Sequence, residues 1–226
     1  MTAASWIDHL VIAAESLDQG VQWCEATLGL TPLAGGEHPL MGTHNRLLSL
    51  ASDAHPRAYL EIIAINPKAQ PPKRKRWFDL DEPEMRAAIH AQPRLIHFVA
   101  ATRDAASGVK ALQRLGIDRG PLVHAERPTA AGMLRWQISV RDDGQRLFYG
   151  GLPTLIEWGD THPADAMPPS GLVLQSLQIR HPRATDLQAA HEAVGLRGVG
   201  VQQGPPDLRA TFTTPSGTVV IDSAAA

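Results

Sequence analysis

The sequence predicts an α+β fold of tandem βαβββ modules that form a curved-sheet cleft, with a third βαβββ-like module at its C-terminal end. Two observations carry this. One order of elements recurs: an apolar strand-like run, a stretch with helical spacing that ends at a glycine, then three more strand-like runs. The first two copies also carry the same pair of polar residue types inside apolar runs. Ile7-Asp8-His9-Leu10-Val11-Ile12 is followed by Ala58-Tyr59-Leu60-Glu61-Ile62-Ile63, and Leu95-Ile96-His97-Phe98-Val99-Ala100 by Thr154-Leu155-Ile156-Glu157-Trp158.

The first module spans residues 1–66. After the strand holding His9, Leu17, Val21, Cys24 and Leu28 recur at helical spacing, and Gly29 stands where a left-handed residue ends a helix. Strands are expected around Thr31–Gly35, Asn45–Leu50 and Ala58–Ile65. Residues 67–93 form a linker: a loop with Pro67, Pro71 and Pro72, then a short helix over Asp81–His90 with Pro83 in its first turn. The basic run Lys73–Arg76 inside this loop reads as a solvated surface. The second module spans 94–160, with a strand over Arg94–Thr102, a helix over Ala105–Leu115 and strands near Pro121–Glu126, Leu134–Val140 and Thr154–Trp158. A second linker covers 161–171, and the third module covers 172–226. In the third copy Ser176 falls where His9 stands in the first, so this module reads as structural. Val199, Val201, Val219 and Ile221 give it an apolar face, which is expected to pack on the first two modules or against a second chain in a homodimer.

Composition narrows the class. A chain of 226 residues that is 43% hydrophobic can bury a sizeable core, and no apolar run approaches a membrane span. A formal net charge of −2 gives no reason to expect nucleic acid or anionic lipid as a partner. A small molecule is the expected partner. The start of the chain shows no secretory signal, and the single cysteine, Cys24, fits a reducing cytoplasm. Cys24 lies in the helical stretch and reads as buried filler.

The chemistry-bearing residues are those of the repeat. A lone histidine in an apolar strand is an ordinary core residue, but a carboxylate in an apolar run needs a partner. Two histidines and two carboxylates at matching places in two copies suit a divalent metal, so His9, Glu61, His97 and Glu157 are the expected ligands. Such an ion would act as a Lewis acid on a substrate with two neighbouring oxygens. His44 and Asn45, at a turn-to-strand entry, are candidates for substrate contact or for holding the turn, and Arg46 and Arg135 for binding an anionic substrate group. Trp136 and Trp158 read as core or pocket wall, His38 as a loop residue, and His162, His181 and His191 as surface or loop histidines.

The Asp8-His9-Leu10-Val11-Ile12 opening, the Leu60-Glu61-Ile62 closing strand and Leu155-Ile156-Glu157-Trp158-Gly159-Asp160 with His162-Pro163 resemble the vicinal oxygen chelate superfamily. Within it the chain looks most like the glyoxalase-like proteins. The resemblance implies one metal ligand in the first and last strand of each metal-binding module, again His9, Glu61, His97 and Glu157. It implies a divalent cofactor (nickel, zinc, cobalt, manganese or iron) and lyase, isomerase or epimerase chemistry by proton transfer. It favours Glu157 as the base, with Glu61 second. Two other functions fit the same superfamily: a non-catalytic protein that sequesters a small molecule, and an extradiol-type dioxygenase. A fourth ligand weighs against the dioxygenase, which uses two histidines and one carboxylate.

Overall fold

The computed structural model describes residues 4–129 and 132–223. The first module is β1 (Ser5–Ala13), α1 (Leu17–Leu28), β2 (Leu33–His38), β3 (Thr43–Ser49) and β4 (Tyr59–Ile65). The linker carries α2 (Pro83–Ala91). The second module is β5 (Arg94–Thr102), α3 (Ala105–Arg114), β6 (Leu122–Thr129), β7 (Gly132–Ser139) and β8 (Thr154–Trp158). The third is β9 (Val173–His181), α4 (Ala184–Ala193), β10 (Val199–Gln203), β11 (Asp207–Thr214) and β12 (Gly217–Asp222). The βαβββ order therefore holds in all three copies. No helix among the described residues is long and apolar enough to cross a membrane.

The first two modules share one eight-stranded sheet, ordered β2-β3-β4-β1-β5-β8-β7-β6. They join where β1 and β5 pair antiparallel, and each opening strand runs parallel to its own closing strand, β1 with β4 and β5 with β8. Alternation then sorts the side chains onto two faces. On one face, Leu10, Ile12, Leu60, Ile62, Phe98 and Leu155 pack beneath the helices. On the other, Val11, Ile63, Val99, Ile138 and Ile156 line a cleft. His9 and Glu61 belong to the cleft face, because His9 pairs with Val99 and Glu61 with Val11.

Two glycines set the depth of the helices on the sheet. Ser16 and Asp104 cap α1 and α3, each seven positions after its module's histidine, and Gly20 and Gly108 follow each cap by four. A Cβ on Gly20 would collide with Ile62, and one on Gly108 would stand 2.6 Å from Leu155 Cδ1. The two modules are thus built to one plan in which Leu155 takes the place of Ile62.

The third module forms a separate sheet, ordered β10-β9-β11-β12. It packs on the helix side of the large sheet. Leu174, Leu177, Ile179, Leu208 and Phe212 share one buried cluster with Leu10, Phe98 and Leu155, and Val199, Val201 and Val219 lie against it. Hydrogen bonds to backbone carbonyls fix the docking: Ser5 N–H donates to Gly195 O at 3.2 Å, Ser5 Oγ to Val194 O at 2.8 Å, and His191 Nε2 to Gly151 O at 2.9 Å. His191 is therefore a docking residue rather than a surface one.

The first linker covers the cleft. Trp77, Phe78 and Leu80 are buried against Val11, Ile63 and Val99. Phe78 and Asp79 hold left-handed backbone conformations (φ 63° and 59°), which cost free energy for non-glycine residues. Arg146 fastens the turn by donating from its backbone N–H and Nε to the Asp79 carboxylate at 3.1 and 2.8 Å. The basic run is also tied down: Arg74 and Arg76 pair with Asp142 and Asp81.

Candidate functional site

A cavity of about 40 Å³ lies between the cleft face and the Trp77–Phe78 strap. His9, His38, Asn45, Tyr59, Glu61 and Arg127 contribute its polar wall, and Trp77, Phe78, Trp136 and Trp158 much of its apolar wall. His9 comes from the middle of the opening strand, Tyr59 and Glu61 from the closing strand, and Asn45 from β3 opposite Ile63.

His9 is held on two sides. Its Nδ1–H donates to Asp8 Oδ1 at 2.6 Å, and its ring stacks on Tyr59 with centroids 4.5 Å apart. A register shift between Ile7 and His9 lets adjacent Asp8 reach the same side of the sheet. Asp8 Oδ2 also accepts from Trp158 Nε1 at 2.9 Å and His162 Nε2 at 3.0 Å. Burial alone would raise the Asp8 carboxyl, but the hydrogen bonds from His162 and His9 outweigh it and hold the group at about 2. Asp8 therefore stays ionised and fixes the His9 ring with Nε2 turned to Glu61, 3.6 Å from Oε2.

Glu61 is anchored through its other oxygen. Asn45 Nδ2 donates to Oε1 at 2.5 Å, and Asn45 Oδ1 accepts from Gly36 N–H at 2.7 Å. His38 Nε2 lies 3.9 Å from Oε1, while its Nδ1 bonds Thr43 Oγ1 at 3.0 Å. Burial pushes the His38 imidazole down to about 4, and the Glu61 charge offsets this only in part. His38 is thus neutral near pH 7. Burial also raises the Tyr59 phenol well above its ordinary value, so it stays protonated.

The four residues expected to bind a metal do not come together. His97 is fully buried on the cleft face, but both ring nitrogens have partners. Nδ1–H donates to Gly150 O at 3.0 Å, and Nε2 accepts from Thr154 N–H at 3.1 Å. Arg119 lies against the same nitrogen at 3.5 Å, and burial together with the charges of Arg119 and Arg146 keeps His97 well below its ordinary pKa. Glu157 points the other way, accepting from Ala105 N–H, the first residue of α3, at 2.8 Å. The shared plan gives the reason. With Leu155 in the place of Ile62, the counterpart of Glu61 is Thr154, and Glu157 lies three positions further on, on the opposite face.

The donor set does not fit a metal in this arrangement. No group of three or more His, Cys, Asp or Glu among the described residues is placed to hold one. The unsatisfied polar atoms at the cavity point the same way. Arg127 Nη1 and Trp77 Nε1 are buried without a hydrogen-bond partner among the described residues, and both are donors, which a cation cannot satisfy.

Of the residues expected to meet substrate, only Asn45 reaches the cavity. His44 and Arg46 alternate to the other face, where His44 feels the charge of Asp18 on α1. Arg135 is exposed and paired with Glu126 at 3.1 Å. Residues of the site that were not expected are His38, Tyr59, Trp77 and Arg127 in the cavity wall and Asp8 and His162 behind His9. His38 was expected in a loop, but β2 runs further than the Thr31–Gly35 stretch and ends on it. His162, expected at the surface, is buried on Asp8. Asp8 carried a signal, a carboxylate inside an apolar strand next to a histidine.

A family model described as a glyoxalase-like domain matches residues 7–195. The chain belongs to the glyoxalase-like family. That places it in the vicinal oxygen chelate superfamily, as its opening and closing strands suggest. The glyoxalase-like span takes in both cleft-forming modules and reaches past α4. A hypothetical protein from Staphylococcus aureus has a similar fold at 12% identity, with a TM-score of 0.58 over 96% of this chain and 85% of its own. Methylmalonyl-CoA epimerase from Mycobacterium tuberculosis is a more distant likeness, at 18% identity and a TM-score of 0.41 over 71% of this chain and 91% of its own. No curated protein sequence matches the chain.

Proposed function

We propose that this glyoxalase-like protein is a proton-transfer enzyme of the isomerase, epimerase or lyase kind, acting on a small oxygenated molecule with Glu61 as base and His9 as its partner acid. One observation carries this: His9 Nε2 and Glu61 Oε2 face each other across 3.6 Å, and each group is anchored by its other atom, to Asp8 and Asn45. That gap is too long for a good hydrogen bond, and a reacting atom placed beside the pair would be within reach of both groups.

The step balances as follows. Glu61 Oε2 takes the proton from the carbon next to a carbonyl. The C–H electron pair becomes the C=C bond of an enol, and the carbonyl oxygen takes the Nε2 proton of a doubly protonated His9, which is left as the neutral ring with its Nδ1–H on Asp8. Return of Glu61's proton to the neighbouring oxygen-bearing carbon, as an enol hydroxyl hands its proton back to His9 Nε2, gives the isomer. Return to the same carbon leaves substrate with an exchanged hydrogen, and an epimer needs a proton delivered from the opposite face. The Asp8 carboxylate holds the ring through both protonation states. The aromatic walls keep water from the enol.

A divalent metal in this role would require His97 and Glu157 to leave their present partners. NMR of deuterium uptake from D2O into hydroxyacetone, dihydroxyacetone and pyruvate tests the reading. Exchange by wild-type protein in the presence of chelator is the expected result. Exchange only after addition of nickel, zinc, cobalt, manganese or iron would assign the step to a metal. Binding with no exchange under any condition would leave a sequestering protein.

A further inference from the structure

We propose that Arg127 and Trp77 form a carboxylate subsite in this cavity, so that the ligand is a small carboxylic acid. The proton-transfer reading supplies only the neighbouring carbonyl carbon; the subsite itself rests on other observations. Arg127 Nη1 and Trp77 Nε1 are buried N–H donors on cavity-lining residues, and neither has a hydrogen-bond partner among the described residues. A buried donor left unpaired costs free energy, and each of these two lacks an acceptor. Both needs are met by one anionic group that brings two acceptor oxygens.

No protein carboxylate fills that role. Arg127 makes no ion pair among the described residues, although its neighbour Glu126 pairs with Arg135 outside the cavity. Glu61, the carboxylate lining the cavity, is held by Asn45. The local backbone makes room for the cation. Arg127 Nη1 lies against Gly36, where any Cβ would collide with it, and Gly36 N–H is tied to Asn45 Oδ1. The guanidinium charge reaches His38 beside Glu61, where it adds to burial in lowering that imidazole. Trp77 is 8% exposed and fixed by stacking on Phe78 at 5.2 Å and by edge contact with His38 at 5.1 Å.

Size and charge favour a carboxylate over a phosphate. A cavity of about 40 Å³ has room for a short ligand only. A phosphate would add bulk and a second negative charge beside Glu61.

Titrations of tryptophan fluorescence with glyoxylate, pyruvate and lactate, each against its neutral amide and against inorganic phosphate, test the subsite. Trp136 and Trp158 also line the cavity and report occupancy when Trp77 is altered. At least one acid is expected to bind wild-type protein tenfold or more tighter than its amide and tighter than phosphate. Arg127→Met should weaken that acid at least tenfold and abolish its preference over the amide, Arg127→Lys should keep part of the preference, and Trp77→Phe should weaken the acid a few-fold. Arg135→Met should change nothing. Circular dichroism and thermal melting confirm that each variant is folded, and Arg127→Lys supplies the charged comparison should Arg127→Met fail to fold. No binding by any acid, equal binding of acid and amide, tighter binding of phosphate, or an unchanged preference in Arg127→Met would overturn the proposal. Measuring the same affinities in Glu61→Gln protein separates the two readings. Tight acid binding without wild-type exchange would sink the proton-transfer reading alone. Equal exchange of pyruvate and pyruvamide would sink the subsite alone.

Discussion

His9 Nε2 faces Glu61 Oε2 across 3.6 Å, while in the second module the equivalent nitrogen of His97 accepts a hydrogen bond from Thr154 at 3.1 Å. One pair leaves both groups turned to a cavity, and the other consumes them. The two modules are alike in backbone plan and different in chemistry. The first carries the facing pair, and the second supplies Arg127, Trp136 and Trp158 to the wall.

Replacing Glu157 separates a helix cap from a ligand. Glu157 accepts from Ala105 N–H at the positive end of α3. Glu157→Ala should lower stability by about 1 kcal/mol, read by urea denaturation, and leave proton exchange within about twofold of wild type. A collapse of exchange in folded Glu157→Ala protein would return Glu157 to the active centre.

Asp8 should matter for both stability and chemistry. It is 2% exposed and accepts from His9, His162 and Trp158. Asp8→Asn puts an amide among three donors and frees the His9 ring. A loss on the order of 3 kcal/mol is expected in denaturation, with exchange falling by about 10²-fold or more in the folded fraction. An exchange rate equal to wild type would show that Asp8 does not orient His9.

His38 sets a stability slope in mild acid. Its folded value of about 4 lies below the ordinary 6.5, so between these the unfolded chain binds the extra proton. Stability should therefore fall as pH drops from 6.5 to 4, by up to on the order of 3 kcal/mol from this group, and the effect should level off below. Asp8 acts lower: its stabilising share is intact above the ordinary carboxyl value of 3.8 and is lost as pH falls toward about 2. Urea melts from pH 7 to 4 on wild type and His38→Gln read the first effect. An equal slope in the variant would remove His38 from the account.

Much of this fold is legible in the chain because helix caps and strand alternation are local. Gly29 marks the end of α1, and β5 runs over the expected residues. The pair His9 and Glu61 is legible for the same reason, since each interrupts an apolar run. Register is not local. The place of Glu157 depends on how Leu155 meets Gly108 across the module, and three positions along a strand reverse the face. Arg127 and Trp77 were hidden for another reason. They reach the cavity from a distant strand and from a linker folded back over the cleft, and nothing in their neighbours' sequence announces that return.

The central claim is that Glu61 and His9 move the proton. The rate of solvent deuterium uptake into substrate, by folded wild type, Glu61→Gln, His9→Gln and the double variant under chelator, tests it most directly. Each single change should slow uptake by about 10²- to 10⁴-fold, and the double variant should be little slower than the worse single one, because the two groups act as a unit. Uptake at the wild-type rate in Glu61→Gln protein would contradict the account.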